Sequence, residues 1–134
     1  MSLVPVTAGI IRDHSGRVLL TQRPDKGHNA LKWEFPGGKL RDDESPEVCL
    51  GREIQEELGI RVEVGEIFHV VHHRYRERSI ILLAYNCRWE GGDIRLLEHK
   101  AYQWVEPPRL LSFDLAEADR HIAKKVEGRG IGDG

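Results

Sequence analysis

Three carboxylates within five positions are the residues of this chain best suited to chemistry. Glu53, Glu56 and Glu57 stand at i, i+3 and i+4, so on a helix their side chains share one face. Like charges on adjacent turns repel one another, whereas hard divalent cations such as Mg²⁺ prefer oxygen ligands. The spacing therefore indicates a divalent-cation site, and the alternative is an acidic helix face in solvent.

The residues around these carboxylates favour a helix over 45–58. Ser45 can cap its first turn, and Pro46 suits the first helical position. Gly59 is suited to end it in a left-handed conformation. One apolar stripe recurs every four residues, at Leu50, Ile54 and Leu58. The carboxylates are thus expected on a rigid element whose other face is buried.

A fixed spacing that begins upstream of the carboxylates narrows the possibilities. It reads Gly38, five residues, Glu44, seven residues, Arg52-Glu53, an aliphatic residue, one residue, Glu56-Glu57, one residue, Gly59 and an aliphatic residue. Every fixed position of the Nudix box is filled in this way. The chain therefore resembles the Nudix hydrolase family, whose members hydrolyse a nucleoside diphosphate linked to another group.

The resemblance implies a metal-dependent active site on this helix, with Mg²⁺ or, in its place, Mn²⁺ as the cofactor. Arg52 resembles the arginine that orients the catalytic carboxylate, here Glu53, and its alternative role is an i,i+4 ion pair with Glu56. Glu44 is expected to be structural, because its charge is favoured near a helix start. The expected metal ligands are Glu53, Glu56, Glu57 and a backbone carbonyl of Gly37 or Gly38.

Beyond the box the chain resembles the MutT-type nucleoside triphosphate pyrophosphohydrolases over most of residues 4–126. The matching stretches are Gln22-Arg23-Pro24, the run from Lys32 to Lys39, Trp89-Glu90-Gly91 and Gln103-Trp104-Val105. This resemblance implies release of nucleoside monophosphate and pyrophosphate, with attack at the β-phosphorus. It also implies that Glu98, six residues before Trp104, is a metal ligand or general base. A surface loop charge is the alternative for Glu98.

The same resemblance implies a base pocket. Phe35 and Tyr75 could stack on a base or belong to the core, and Lys39 could contact a phosphate oxygen or face solvent. An ionised Asp119 only accepts hydrogen bonds, which favours the amino group of cytosine or the N7–H of 8-oxoguanine. Substrates are therefore expected among oxidised dGTP and (d)CTP. The expected substrate-binding residues are Arg23, His28, Phe35, Gly38, Lys39, Tyr75, Arg78 and Asp119.

Two other functions stay open. A dinucleoside polyphosphate or nucleotide-sugar hydrolase often carries a tyrosine some distance past the box, and Tyr75 follows Ile60 by fifteen residues. A non-catalytic nucleotide-binding module of the same fold typically loses box carboxylates and gains a fused domain. Because all three carboxylates are present and nothing is fused, we expect an enzyme.

The remaining pattern predicts the elements that position these residues. The order β-β-α-β-β-β-α implies a mixed sheet with helices on it, and the family resemblance implies the Nudix fold, an α/β/α sandwich. Residues 1–134 are expected to form a single Nudix hydrolase domain with its core at about 4–126 and a flexible tail at 128–134. Strands are predicted at 4–11, 17–22, 61–73, 79–89 and 102–105, turns at 13–16, 74–78 and 90–93, and a second helix at 114–126.

Composition limits the partners and the compartment. The 134 residues are 40% hydrophobic with a net charge of −2, which predicts no nucleic-acid polymer as partner and no membrane contact. Neither a signal peptide nor a membrane-spanning apolar run is recognised. Cys49 and Cys87 are expected as buried free thiols of a cytoplasmic protein. A monomer and a homodimer are both compatible with the sequence.

Overall fold

Six strands and two α-helices make up the protein in its computed structural model, which describes residues 3–128. The predicted tail at 128–134 lies outside the described residues except for Gly128. The strands are β1 Leu3–Arg12, β2 Val18–Gln22, β3 Trp33–Glu34, β4 Arg61–Arg74, β5 Ser79–Gly91 and β6 Ala101–Val105. The helices are α1 Pro46–Leu58, a 3₁₀ helix at Pro107–Ser112 and α2 Glu117–Val126.

The strands form one mixed sheet in the order β3-β2-β1-β5-β4, with β6 also pairing with β2. β1 runs parallel to β5 along its whole length, from Leu3 opposite Ser79 to Arg12 opposite Arg88. The other strand pairs are antiparallel. The predicted mixed sheet is thereby confirmed, and the predicted strands are found within a few residues of their bounds.

Both faces of the sheet are buried. Neighbouring residues on a strand point to opposite faces, and Ile10 and Ile11 are both fully buried, in different core clusters. Ile11 packs in the cluster that contains α1, and Ile10 packs in the cluster that contains α2. The α/β/α sandwich is therefore confirmed. No helix within residues 3–128 has the length and hydropathy needed to cross a membrane.

Helix α1 begins and ends where the sequence predicts. The Val48 N–H donates to the Ser45 hydroxyl at 3.2 Å, and Gly59 adopts a left-handed φ of 71° while its N–H donates to the Gln55 carbonyl. The stripe facing the sheet is fully buried and includes one of the two free cysteines: Cys49, Leu50, Ile54 and Leu58. Burying a side chain the size of leucine contributes about 1.5–3 kcal/mol, so the apolar face holds the carboxylates in place.

Helix α2 begins at Glu117, so the predicted start at Asp114 is wrong. Backbone pairing with β3 keeps the preceding segment extended, because the Trp33 N–H donates to the Asp114 carbonyl and the Ala116 N–H donates to the Trp33 carbonyl, each at 2.9 Å. Leu115 is buried, but it bridges to Trp33 and is not helical. β3 itself was not predicted, since two residues show no periodicity.

The predicted turn at 90–93 is wrong in its first half. Strand β5 continues to Gly91, where it still pairs with Arg61 at the start of β4. The irregular segment that follows runs from Gly92 to Lys100 and leads into β6. This segment becomes important below, because it packs across the end of α1.

Alanine should change stability in opposite directions at Gly51, inside α1, and at Gly59, which ends the helix. A Cβ on Gly51 meets no atom within 4 Å, so Gly51→Ala should raise the free energy of unfolding by about 0.5–1 kcal/mol through helix propensity. Gly59→Ala places a side chain at a left-handed φ and should lower the free energy of unfolding by about 1–2 kcal/mol. Urea unfolding measures both, and changes of the same sign would contradict the assigned helix end.

Candidate active site

The loop that carries the two glycines before α1 is fastened to β1. The Gly9 N–H donates to the Pro36 carbonyl at 2.7 Å, and the Thr7 N–H donates to the Gly38 carbonyl at 2.8 Å. The Thr7 hydroxyl donates to the same carbonyl at 3.1 Å. The backbone from Pro36 to Gly38 therefore has a position fixed by the central strand of the sheet.

A Cβ at either glycine of this loop would collide with a neighbouring residue. A Cβ on Gly37 would lie 2.0 Å from the Thr7 carbonyl oxygen, and a Cβ on Gly38 would lie 2.4 Å from the carboxyl carbon of Glu53. The close approach that a Gly-Gly pair permits is made to β1 on one side and to α1 on the other. It brings the Glu53 carboxylate directly against the loop.

Arg52 contacts three carboxylates near the glycine loop. Its Nη2 and Nε bind both oxygens of Glu44, at 2.6 and 2.9 Å. Its Nη1 lies 3.4 Å from a Glu53 oxygen and 3.1 Å from a Glu56 oxygen. Arg52 therefore contacts Glu53 and Glu56 at once, and bidentate binding to Glu44 fixes the guanidinium that faces them.

Glu44 serves as the anchor for that arginine. The hydrogen bond from Arg52 is the main reason that the pKa of Glu44 is lowered to about 2. Its Oε1 also accepts from the Arg41 N–H at 3.2 Å. The structural role predicted for Glu44 is retained, but its basis is a specific ion pair in addition to a favourable place near the helix start.

Glu57 is the buried member of the predicted ligand set. Its side chain is 12% exposed, against 51% for Glu56. Burial raises its pKa to about 9, and the charges of Glu53, Glu98 and Glu34 add to this effect. The Oε1 of Glu57 has no hydrogen-bond partner within residues 3–128. A buried carboxylate among other carboxylates is unfavourable unless a cation accompanies it.

The segment from Gly92 to Lys100 packs across the end of α1 and brings Glu98 and His99 near Glu57. The Arg95 N–H donates to the Leu58 carbonyl at 2.8 Å, and the Leu97 N–H donates to the Glu57 carbonyl at 3.1 Å. This satisfies carbonyls that the end of a helix leaves unpaired. Glu98 follows at an exposed position near enough for its charge to raise the pKa of Glu57.

His99 is a residue of this site that sequence reasoning missed. Its side chain is 6% exposed, and its Nε2 lies 3.5 Å from a Glu34 oxygen and 3.9 Å from a Glu57 oxygen. A histidine in a polar loop has no periodicity to mark it as buried. Its place directly after Glu98 was the only signal in the sequence.

The residues present fit a divalent cation. An unpartnered buried oxygen of Glu57 and the Glu53 carboxylate at Gly38 form a hard oxygen donor set. The Gly38 carbonyl is engaged by Thr7, whereas from residues 3–128 no hydrogen bond reaches the Gly37 carbonyl. Within those residues no three acidic, histidine or cysteine side chains already converge as a metal cluster. Glu56 would therefore have to turn away from Arg52 to join.

A cavity of about 440 Å³ opens beside the Gly-Gly loop. Its lining also includes Glu34, Gly37 and Asn29, none of which was predicted as substrate-binding. The structure brings together all the predicted substrate-binding residues around it: Arg23, His28, Phe35, Gly38, Lys39, Tyr75, Arg78 and Asp119. The volume and the mixed polar and aromatic lining suit a small-molecule ligand.

The aromatic residues of the cavity are held by neighbours. The Tyr75 ring meets the His28 ring edge to face at 4.9 Å, and its hydroxyl accepts from the Ala118 N–H at 3.1 Å. Partial burial and the charges of Arg78 and Arg23 lower the pKa of His28, so its imidazole is neutral at pH 7. Phe35 is 3% exposed and packs in the core while it also lines the cavity.

Asp119 differs from the sequence-based expectation. It is buried and so is not an exposed charge on the last helix, and its Oδ2 accepts from the Phe35 N–H at 2.9 Å. Burial and the nearby charge of Glu34 raise its pKa well above the usual range. Burial therefore favours the neutral acid over the ionised, acceptor-only form on which the expectation rested. In its neutral form Asp119 could donate as well as accept.

Known proteins resemble this chain over nearly its full length. The family model described as NUDIX domain matches residues 3–126. CTP pyrophosphohydrolase of Escherichia coli (strain K12) is 40% identical over 119 residues, which cover 89% of this chain and 87% of that protein. The 8-oxo-dGTP diphosphatase of the same organism is 37% identical over 128 residues, which cover 95% and 98%.

A solved structure agrees with these sequence matches. The crystal structure of a MutT protein from Methanosarcina mazei Go1 superimposes with a TM-score of 0.86 at 29% identity. The match covers 98% of this chain and 96% of that one. The overall fold is therefore shared with that protein.

Alanine at the two loop glycines should separate stability from turnover. Gly37→Ala collides with the Thr7 backbone, so it should lower the free energy of unfolding by about 1–3 kcal/mol. Gly38→Ala collides with the end of the flexible Glu53 side chain, which can swing aside. It should therefore leave stability nearly unchanged and lower kcat at least about tenfold. Urea unfolding and steady-state kinetics report the two effects, and wild-type kcat in Gly38→Ala would contradict the placement of Glu53.

Proposed function

The chain belongs to the NUDIX family and is a hydrolase acting on phosphoanhydride bonds, and from this premise we propose that it converts nucleoside triphosphates to nucleoside monophosphate and pyrophosphate. Its proposed substrates are oxidised dGTP, (d)CTP or both. The family requires a divalent metal, and we propose Mg²⁺, with Mn²⁺ able to replace it. Residues 1–134 are proposed as a single Nudix hydrolase domain.

One observation carries this proposal. The cavity that holds the predicted base-binding residues also includes Gly37, Gly38 and Lys39 in its lining, and Gly38 touches the Glu53 carboxylate. A nucleotide that places its base at Asp119 would therefore direct its phosphates toward the carboxylate face of α1. Recognition and hydrolysis would then take place in one continuous site.

The divalent cation supplies charge neutralisation of the phosphates and a bound water of lowered pKa. We assign Glu53 and Glu57 as its main ligands, with Glu56, Glu98 and the Gly37 carbonyl as further candidates. Arg52, held by Glu44, keeps Glu53 in place. Preorganisation of this kind stabilises a transition state because little rearrangement is needed when charge develops.

The groups of the chain that face the substrate have distinct roles. Lys39 is exposed on the cavity lining and is assigned to the phosphate oxygens. Glu98, an exposed residue whose charge raises the pKa of Glu57, is assigned as a metal ligand or general base. Tyr75 and His28 form an aromatic wall against which a base can pack.

The two substrate types place different demands on Asp119. The relatives named above are a CTP pyrophosphohydrolase and an 8-oxo-dGTP diphosphatase, and both names are compatible with a protonated Asp119. A neutral carboxyl can accept from an amino group or an N7–H and can donate to a carbonyl oxygen. Both substrate types are therefore retained in the proposal.

Removal of a single ligand carboxylate should strongly lower turnover without loss of the fold. Glu53→Gln and Glu57→Gln keep the side-chain shape but weaken cation binding, so kcat should fall by about 10²–10⁴-fold. Glu47→Gln is the matched control, because Glu47 is an exposed carboxylate in the first turn of the same helix. Steady-state kinetics at saturating Mg²⁺ and circular dichroism give the comparison. Near-normal turnover in either ligand variant would remove the assignment.

Asp119 variants test how the base is recognised. Because a neutral carboxyl and an amide both donate and accept, Asp119→Asn should keep the order of substrate preference. Asp119→Ala leaves the Phe35 N–H and the base edge unpaired, which should cost about 1–3 kcal/mol, roughly tenfold to a hundredfold in kcat/KM on the preferred nucleotide. The measurement is kcat/KM on CTP, dCTP, dGTP and 8-oxo-dGTP. A reversed preference in Asp119→Asn would show that Asp119 acts in its ionised form.

A further inference from the structure

His99 is a buried histidine between the cavity and the carboxylate face of α1. The chain on either side of it is fixed, since the Leu97 N–H donates to the Glu57 carbonyl at 3.1 Å and the Lys100 N–H donates to the Gln22 carbonyl at 2.9 Å. These two bonds join the segment to α1 and to β2. The place of the imidazole is therefore set by the fold.

The Nε2 atom of His99 faces carboxylates from two different elements. It lies 3.5 Å from Glu34 Oε2, which belongs to β3, and 3.9 Å from Glu57 Oε1, which belongs to α1. Both distances are longer than that of a good hydrogen bond. The imidazole is therefore within reach of either carboxylate, and a small rotation would bring a hydrogen bond to Glu57.

Glu34 connects this contact to the cavity. Its Oε2 also lies 3.4 Å from the Arg23 Nη1, and both residues line the cavity. These contacts form a chain of polar side chains that leads from the cavity to α1, namely Arg23, Glu34, His99 and Glu57. In such a network a change in the hydrogen bonding of one side chain affects its neighbours.

The contact between His99 and Glu57 is incomplete. Within residues 3–128 the buried side-chain atoms that lack a hydrogen-bond partner are Glu57 Oε1 and His99 Nδ1. Unsatisfied buried polar atoms are costly, and here both belong to one contacting pair. A divalent cation bound at Glu57 would satisfy the carboxylate oxygen of this pair, because carboxylates bind such ions.

We propose that His99 is a positioning residue that orients Glu57 toward the divalent cation and links it to Glu34 in the cavity wall. This inference rests on the proposed function, in which Glu57 is a ligand of the cation. His99 acts through Glu57 and does not contact the substrate. Partners that hold a ligating side chain in orientation typically contribute tenfold to a hundredfold to metal affinity or activity.

The test is Mn²⁺ binding to the metal-free full-length protein, read from the electron paramagnetic resonance signal of free Mn²⁺ without nucleotide. His99→Ala should bind Mn²⁺ about tenfold to a hundredfold more weakly than wild type. His99→Gln should recover part of that loss, because its amide N–H reaches the position of Nε2. His72→Ala is the matched control, since His72 is an exposed histidine of β4, and it should bind as wild type does. In steady-state kinetics His99→Ala should lower kcat and leave KM for the nucleotide nearly unchanged.

Glu57→Gln separates failure of this inference from failure of the proposed function. Wild-type Mn²⁺ affinity in Glu57→Gln would overturn the metal site itself and, with it, the role of His99. If Glu57→Gln loses Mn²⁺ while His99→Ala retains wild-type affinity and kcat, only the inference about His99 is overturned. If His99→Ala does not fold, His99→Gln is compared with His99→Asn, whose amide is too short to reach the Nε2 position. Stronger Mn²⁺ binding by the glutamine variant supports the proposal, and equal binding overturns it.

Discussion

Buried carboxylates beside the glycine loop are the constraint on which the site depends. Glu53 lies against Gly38, and the buried Glu57 Oε1 has no hydrogen-bond partner within residues 3–128. The arginine of this face, Arg52, contacts Glu44, Glu53 and Glu56, and the basic side chain that the structure places beside Glu57 is His99. The apolar stripe of α1 stabilises the helix against the unfavourable burial of these carboxylates. A divalent cation bound there would neutralise them and take part in hydrolysis.

The fold brings two unlike surfaces together around this charge. β1 fixes the glycine loop through Thr7 and Gly9, so the carboxylate face and the cavity have a common edge. On the other side of the sheet α2 delivers Asp119 to the Phe35 N–H. Loop residues therefore make up much of the cavity lining, while rigid elements carry the groups that need fixed positions. This division is common in enzymes, where loops carry specificity on a stable scaffold.

Local signals in the sequence predicted the parts of the site that local forces determine. The cap at Ser45, the left-handed Gly59 and the stripe that includes Ile54 all follow from spacing, and all are found. The misses depend on distant contacts. β3 exists because Trp33 pairs with Gln22, and α2 starts late because Asp114 bonds to Trp33. Similarly, the burial of Asp119 and of the His99 side chain follows from the packing of segments far apart in the chain, which no window of sequence contains.

Product analysis in H₂¹⁸O tests metal-dependent hydrolysis at this site most directly. Wild-type protein is incubated with CTP or 8-oxo-dGTP in the presence of Mg²⁺, and the products are separated and weighed by mass spectrometry. We predict nucleoside monophosphate and pyrophosphate, with the ¹⁸O label in the pyrophosphate and no turnover once EDTA has removed divalent cations. Nucleoside diphosphate and inorganic phosphate as products, label in the monophosphate alone, or undiminished turnover in EDTA would contradict the account.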